Sequence, residues 1–244
     1  MAEFESDSFF EGEWDDKGDL AWNEFDWAQY LGRCDKEVAR FQKIYQRLTD
    51  NPERVDEAAK QMGWDQEDWS ANPDESETAE PENFSKPSLD LSSSEEPSEL
   101  TPEDVDPYSA QKHPVFVVSR ALVRDIDALH QGIIRRPEIV VPADLIWDAA
   151  KATKDIELNV ALAVNMLDLG DFALGICYFK HAFRCLNQLL STTGRIPEFL
   201  PDRLSHPFSE EVTMRLFDLR EVWLRVINEC REEGRDFGES EEES

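Results

Sequence analysis

Cysteine, histidine and glycine are scarce in this chain, with four Cys, four His and ten Gly among 244 residues. Cys34, Cys177, Cys185 and Cys230 lie far apart and never in a CxxC spacing, so neither a zinc site nor a disulfide framework is suggested. They are expected to act as small apolar residues. The Glu-x-x-His pairs that would build a metal site inside a helical bundle are missing. So are a Gly-x-Ser-x-Gly turn, a glycine-rich phosphate loop and a Cys-His pair in a recognisable context. No catalytic residue, no metal ligand and no cofactor-binding residue is therefore assigned from the sequence. Of the histidines, His113 and His206 each precede a proline and are expected to mark helix entries. His181, beside Ala182, is expected to be a partly buried, hydrogen-bonded imidazole rather than a ligand. Asp168 and Asp171 flank Gly170, where turn chemistry explains them more simply than a pair of catalytic carboxylates.

Positive charge is also in short supply. There are 25 Lys and Arg against 54 Asp and Glu, a formal net charge of −29. The imbalance sits in the flanks: residues 1–110 carry −22 and residues 232–244 carry −6, whereas 111–231 carries only −1. Nucleic acid is not expected as a ligand, because phosphate binding needs a concentrated basic face. No apolar run approaches the length needed to span a bilayer, so no membrane association is expected. The N-terminus is acidic where a secretory or transit peptide would be basic, and the expected location is the cytoplasm.

What is present is helical periodicity. Residues 1–21 mix acids with Phe4, Phe9, Phe10 and Trp14 without a period and are expected to be disordered. From Trp22 the apolar residues Trp27, Leu31, Cys34, Val38, Phe41, Tyr45 and Leu48 recur at spacings of three and four, one seam on a helix of about 25 residues. Asn51-Pro52 reads as the start of a short helix that closes at Met62-Gly63, and this hairpin region is taken as 22–69. Residues 70–111 are rich in Ser, Pro, Asp and Glu and cannot bury enough apolar surface to offset their conformational entropy, so they are expected to form a disordered acidic linker.

Pro114 opens the main domain, taken as 112–233. Val115, Val118, Leu122, Ile126, Leu129 and Ile133 have helical spacing. Pro142 starts a second helix, and the sequence leaves open whether it bends near Lys154-Asp155 or continues to Leu169. A further helix carries Ile176, Phe179, Ala182, Phe183, Leu186 and Leu190. A loop with Pro197, Pro201 and Pro207 then leads to a last helix whose seam is Val212, Leu216, Leu219, Trp223, Val226 and Cys230. The acidic tail, 234–244, is expected to repel itself and stay disordered. No segment alternates as a strand does over more than a few residues.

Within this domain residues 156–187 resemble a single tetratricopeptide helical hairpin. Leu162-Ala163 and Met166 match its first helix, Gly170-Asp171-Phe172 its turn, and Gly175-Ile176, Phe179 and Ala182 its second helix. Asn159 and Asn187 depart from the pattern, and no second copy occurs at a fixed period. The same stretch, extended to Gly194, is similar to HEPN helical domains, some of which are RNases. That resemblance would imply an Arg followed four to six residues later by a His on a late helix. The nearest spacing here is Arg124 to His130, on the first helix of the domain.

The sequence thus predicts an all-α protein: a C-terminal helical bundle with a TPR-like hairpin, an acidic linker and an N-terminal helical segment. The function expected is non-catalytic protein–protein interaction with an unknown partner, the alternatives being a HEPN-like enzyme or a self-assembling protein. The residues expected to bind a partner are Trp27, Leu31, Phe41 and Tyr45 on the N-terminal helix, and Tyr178 and Phe179 on the hairpin. The N-terminal helix is also a candidate to dock within the molecule on the C-terminal domain, because large aromatics suit a groove better than a coiled-coil seam.

Overall fold

The structure is a computed structural model that describes residues 22–64 and 109–242, with side chains as far as residue 233. Within these residues the protein is all-α. Its helices are α1 (Glu24–Arg47), α2 (Arg54–Met62), α3 (Pro114–Ile134), α4 (Ala143–Asp168), α5 (Phe172–Thr193) and α6 (Asp202–Glu242), with a 3-10 turn at Ile196–Phe199. The acidic stretch 1–21, Trp69 and most of the 70–111 linker lie outside the described residues.

The chain divides into two units, Met1–Arg33 with Lys86–Pro107 and Cys34–Ser85 with Tyr108–Ser244. In the first, the described part is the opening of α1. Asn23 Oδ1 accepts from the backbone N–H of Phe25 at 2.8 Å and of Asp26 at 3.2 Å. Asp26 returns the favour by accepting from Asn23 N–H at 3.0 Å, a reciprocal cap that fixes where the helix begins. Trp22, Trp27 and Tyr30 form an edge-to-face cluster with ring centroids 5.2–5.9 Å apart. Tyr30 is buried while Trp27 and Leu31 are exposed, so the seam in this part of α1 runs through Tyr30 instead of the expected pair.

In the second unit α3 is apolar on most of its circumference. Val115, Val117, Val118, Ala121, Leu122 and Ile126 are all fully buried, as befits a helix surrounded by others. The imidazole of His113 opens it by accepting the Val115 N–H at 3.3 Å, with Pro114 in the first turn, where a missing N–H costs nothing. Helix α4 continues unbroken through Lys154-Asp155. It turns into α5 at Gly170, whose φ of +74° is the left-handed conformation that the turn demands. Asp171 then caps α5 by accepting from Leu174 N–H at 3.0 Å, the turn role expected for it. At the crossing of α4 and α5, Gly175 faces Ala163 and Leu167 so closely that a Cβ there would lie 2.9 Å from Leu167 Cδ2.

Helix α6 packs Val212, Leu216, Leu219, Trp223, Val226 and Cys230 into the same core. Trp223 is completely buried, its indole N–H donating to Ser119 Oγ at 2.9 Å and its ring meeting Phe183 edge-on. Two expectations fail on this helix. It begins at Asp202, so Pro207 and His206 lie inside it and not in the preceding loop. It also continues to Glu242, through most of the tail expected to be disordered. Extending a helix already nucleated by a packed segment costs far less than starting one, and Glu is a good helix former. The same unit carries the rest of α1, with Val38, Phe41 and Tyr45 in its core, and α2, which closes at Gly63 with φ +89°. Asn51 caps the turn before α2, accepting from Glu53 N–H at 2.9 Å, and not the helix itself. Trp64 stacks on Phe41 at 5.9 Å.

Candidate functional site

The densest group of ionisable side chains is buried, where α1, α2, α3 and α6 meet. Arg54 grips Asp218 with two parallel bonds, Nε to Oδ2 at 2.6 Å and Nη2 to Oδ1 at 2.7 Å. The Tyr45 hydroxyl donates to the same carboxylate. Both Arg54 and Arg215 lie over the Tyr45 ring, at 6.0 and 5.7 Å from its centroid. Arg215 also pairs with Asp125 at 3.5 Å and with Glu211. Asp125 Oδ1 accepts from Gln42 at 2.8 Å and Gln46 at 3.2 Å. Burial, reinforced by the neighbouring Asp218 carboxylate, pushes the Tyr45 phenol well above its ordinary range. Tyr45 therefore keeps its proton, and Asp218 is already saturated by donors. Chemically the group is a fastening: every charge has a partner, and no carboxylate or phenol is left to attack or to exchange protons with a substrate.

The residues predicted to bind a partner separate into two kinds. Phe41, Tyr45 and Phe179 are completely buried in the core of the second unit. Apolar rings at these seam positions are removed from water by the chain's own helices. Trp27 and Leu31 remain exposed at 42 % and 44 %, and Tyr178 is half-buried at the edge of the core. The histidines also depart from expectation in part. His181 is exposed on α5. His130 lies buried against Phe208, 3.5 Å from Thr193 Oγ1, and burial lowers its pKa so that it stays neutral. Arg124 reaches to Asp35 at 2.9 Å. The structure does not bring Arg124 and His130 together, since six residues of helix leave them about 120° apart around its axis. The cleft beside His130, lined by Ile133, Ile134, Val141, Ile146 and Ala149, has an interior of about 40 Å³, too little for an organic ligand.

The feature that sequence reasoning missed is the outer face of α4 and α5. Trp147 is 71 % exposed and Leu158 58 % exposed. Eleven residues separate them, three helical turns, so they stand on one line with Lys151 and Lys154 between. This line is opposite the buried seam of Ala149, Ile156 and Ala163. On α5 the corresponding line holds Leu174, 40 % exposed, half-buried Tyr178 and exposed His181. Burial, reinforced by the Asp155 carboxylate of α4 and opposed by Lys151, pushes the Cys185 thiol of α5 up. The usable signal in the sequence is a Trp on the charged side of an amphipathic helix, where core packing gives it no role.

Comparison with protein-family models, with curated proteins and with solved structures returns no match. Among the described residues no helix is long and apolar enough to cross a membrane, and no group of three or more His, Cys, Asp or Glu is placed to hold a metal ion.

Proposed function

We propose that this protein is a non-catalytic interaction protein whose helical domain binds a segment of another protein across the outer face of α4 and α5. The observation that carries the reading is Trp147, a large aromatic held 71 % in water by a helix whose opposite face is fully packed. Trp is the residue type most enriched among the side chains that dominate binding energy. Leu158, Leu174 and Tyr178 extend the apolar surface, and Lys151 and Lys154, paired with Asp155 at 3.6 Å and Glu157 at 3.5 Å, give it the mixed polar rim that surrounds apolar anchors in interfaces. The tetratricopeptide-like turn at Gly170 and the close crossing at Gly175 support the same reading, because hairpins of that kind present one face to a ligand and bury the other.

The test uses a photo-crosslinking amino acid in place of Trp147 in the full chain, in its native cell. The expected result is one dominant adduct that disappears when Leu158→Glu is added. Exposed positions tolerate such changes within about 0.5 kcal/mol, so loss of the adduct reports binding and not unfolding. An adduct formed only with another copy of this chain would replace the reading with self-assembly. A diffuse set of adducts indifferent to Leu158→Glu would refute it.

A further inference from the structure

In a chain so short of positive charge, a line of cations without carboxylates beside them needs a reason. In the second unit several arginines are paired: Arg54 with Asp218, Arg120 with Glu157, Arg124 with Asp35, Arg225 with Asp56. On α1 four cations fall on one line. Lys36, Arg40, Lys43 and Arg47 are all exposed, and among the described residues none of them has a carboxylate within ion-pairing distance. Their spacing of four, three and four puts them on one line, diametrically opposite Val38, Phe41 and Tyr45. The line is about 16 Å long at the usual helical rise. Together with Ile44 and Gln61 the four cations border an open cleft of about 520 Å³ between α1 and α2. Like charges at these spacings destabilise an isolated helix, so the stripe is kept at a cost.

We infer that this stripe binds residues 65–82 of the same chain, carboxylate against cation. That stretch, Asp65 to Glu82, contains eight Asp and Glu and no Lys or Arg. It begins where the second unit leaves α2: Trp64 stacks on Phe41, and the carbonyl of Gln61 accepts from Arg40 Nη2 at 3.2 Å, at the middle of the stripe. Ten extended residues reach about 33 Å, twice the length to be covered, so the cluster Asp74, Glu75 and Glu77 can lie along any part of it. The tether holds the segment at an effective concentration in the millimolar range, enough for weak, screened ion pairs to be occupied. Any free anionic peptide must compete with it for the stripe. This contact is independent of the α4–α5 face and stands or falls separately.

Zero-length carbodiimide coupling in the full-length protein tests it, using an equal mixture of unlabelled and 15N-labelled chains to separate coupling within a chain from coupling between chains. The expected result at low salt is coupling of Lys36 and Lys43 to carboxylates in 65–82 within one chain. Its yield falls about fivefold or more in 0.5 M salt, where screening shortens the reach of exposed charges to a few ångströms. Lys36→Gln with Lys43→Gln, two exposed changes, should leave the melt unchanged and abolish it. Mixed-isotope products would assign the stripe to a second copy and overturn the inference. Coupling spread over the acids of 1–20 and 90–106 in proportion to their numbers would also overturn it. Absence of coupling would make the stripe a solvated face.

Discussion

Replacing Gly175 by leucine perturbs the closest approach of two helices in this fold. The first added carbon alone would sit 2.9 Å from Leu167 Cδ2, 3.6 Å from Leu167 Cγ and 3.5 Å from the Ala163 carbonyl oxygen. Leu167 is 2 % exposed and Ala163 wholly buried, so neither has water to retreat into. A single methyl, as in Gly175→Ala, meets chiefly the flexible end of Leu167. Its cost is offset by the gain of about 1 kcal/mol that Ala brings over Gly inside a helix, and the net is expected to lie near zero. Leucine adds three more carbons with nowhere to go except between the helices, and overpacking of this kind costs about 1–3 kcal/mol. In a chain of this size each kcal/mol lowers Tm by roughly 2–4 °C. Thermal and urea melts followed at 222 nm should therefore rank wild type and Gly175→Ala together, with Gly175→Leu clearly below. Leu167→Ala, destabilising by itself, should recover part of the loss when combined with Gly175→Leu, because it vacates the space the new side chain needs. A Gly175→Leu melt equal to wild type, or strict additivity with Leu167→Ala, would show that the two helices do not meet at this glycine.

Three further outcomes are expected. Asp218→Ala leaves Arg54 buried without its carboxylate and should cost about 3–5 kcal/mol in urea unfolding, whereas Tyr45→Phe removes the bond donated to Asp218 and the one accepted from Arg54 Nε at 3.2 Å and should cost about 1–2 kcal/mol; equal effects would contradict the bidentate pairing. Burial pushes His113 down to about 4, so the unfolded chain binds a proton between pH 6.5 and 4 that the folded chain does not. Stability conferred by this group is thus complete above pH 6.5 and declines as pH falls through that window, by at most about 1.4 kcal/mol per unit. His113→Asn keeps an acceptor for Val115 N–H and should flatten that part of the pH profile; an unchanged slope would place the titration elsewhere. Trp223→Phe keeps most of the ring but strands Ser119 Oγ in the core, and a loss of about 1–3 kcal/mol is expected, with no loss arguing against the indole–hydroxyl bond.

How much of this was legible in the sequence follows from the range of each interaction. Wherever the cause lies within a few residues, the reading succeeds. Gly170 and Asp171 announce the α4–α5 turn because a left-handed residue followed by a side-chain cap is a local solution to a local problem. The period of Val212, Leu216, Leu219 and Trp223 places the buried face of α6 in the same way. Local signals fail where two residues compete on equal terms. Counting back from Cys34, Tyr30 and Leu31 are four and three positions away and either continues the seam; only packing selects Tyr30. Pro207 misleads for a related reason, since a proline near a helix start reads as a boundary although the helix begins five residues earlier.

The buried charges could not have been foreseen at all. Tyr45 and Asp218 are 173 residues apart, Arg54 and Asp218 164, and no period or motif links positions at such separations. This bears directly on function. An aromatic seam on α1 looks the same in sequence whether its rings await another protein or fill the chain's own core, because both uses require apolar side chains at helical spacing. What distinguishes them is the remaining circumference of each helix. On α1 the rings of Phe41 and Tyr45 are enclosed, and the opposite side carries four cations that have no carboxylate partner among the described residues. On α4 the core seam is satisfied by Ala149, Ile156 and Ala163, and Trp147 stands on the other side with no core left to enter. A residue that the hydrophobic pattern has no use for is the more informative one, and it is on such residues that the proposed partner face and the proposed acidic contact both rest.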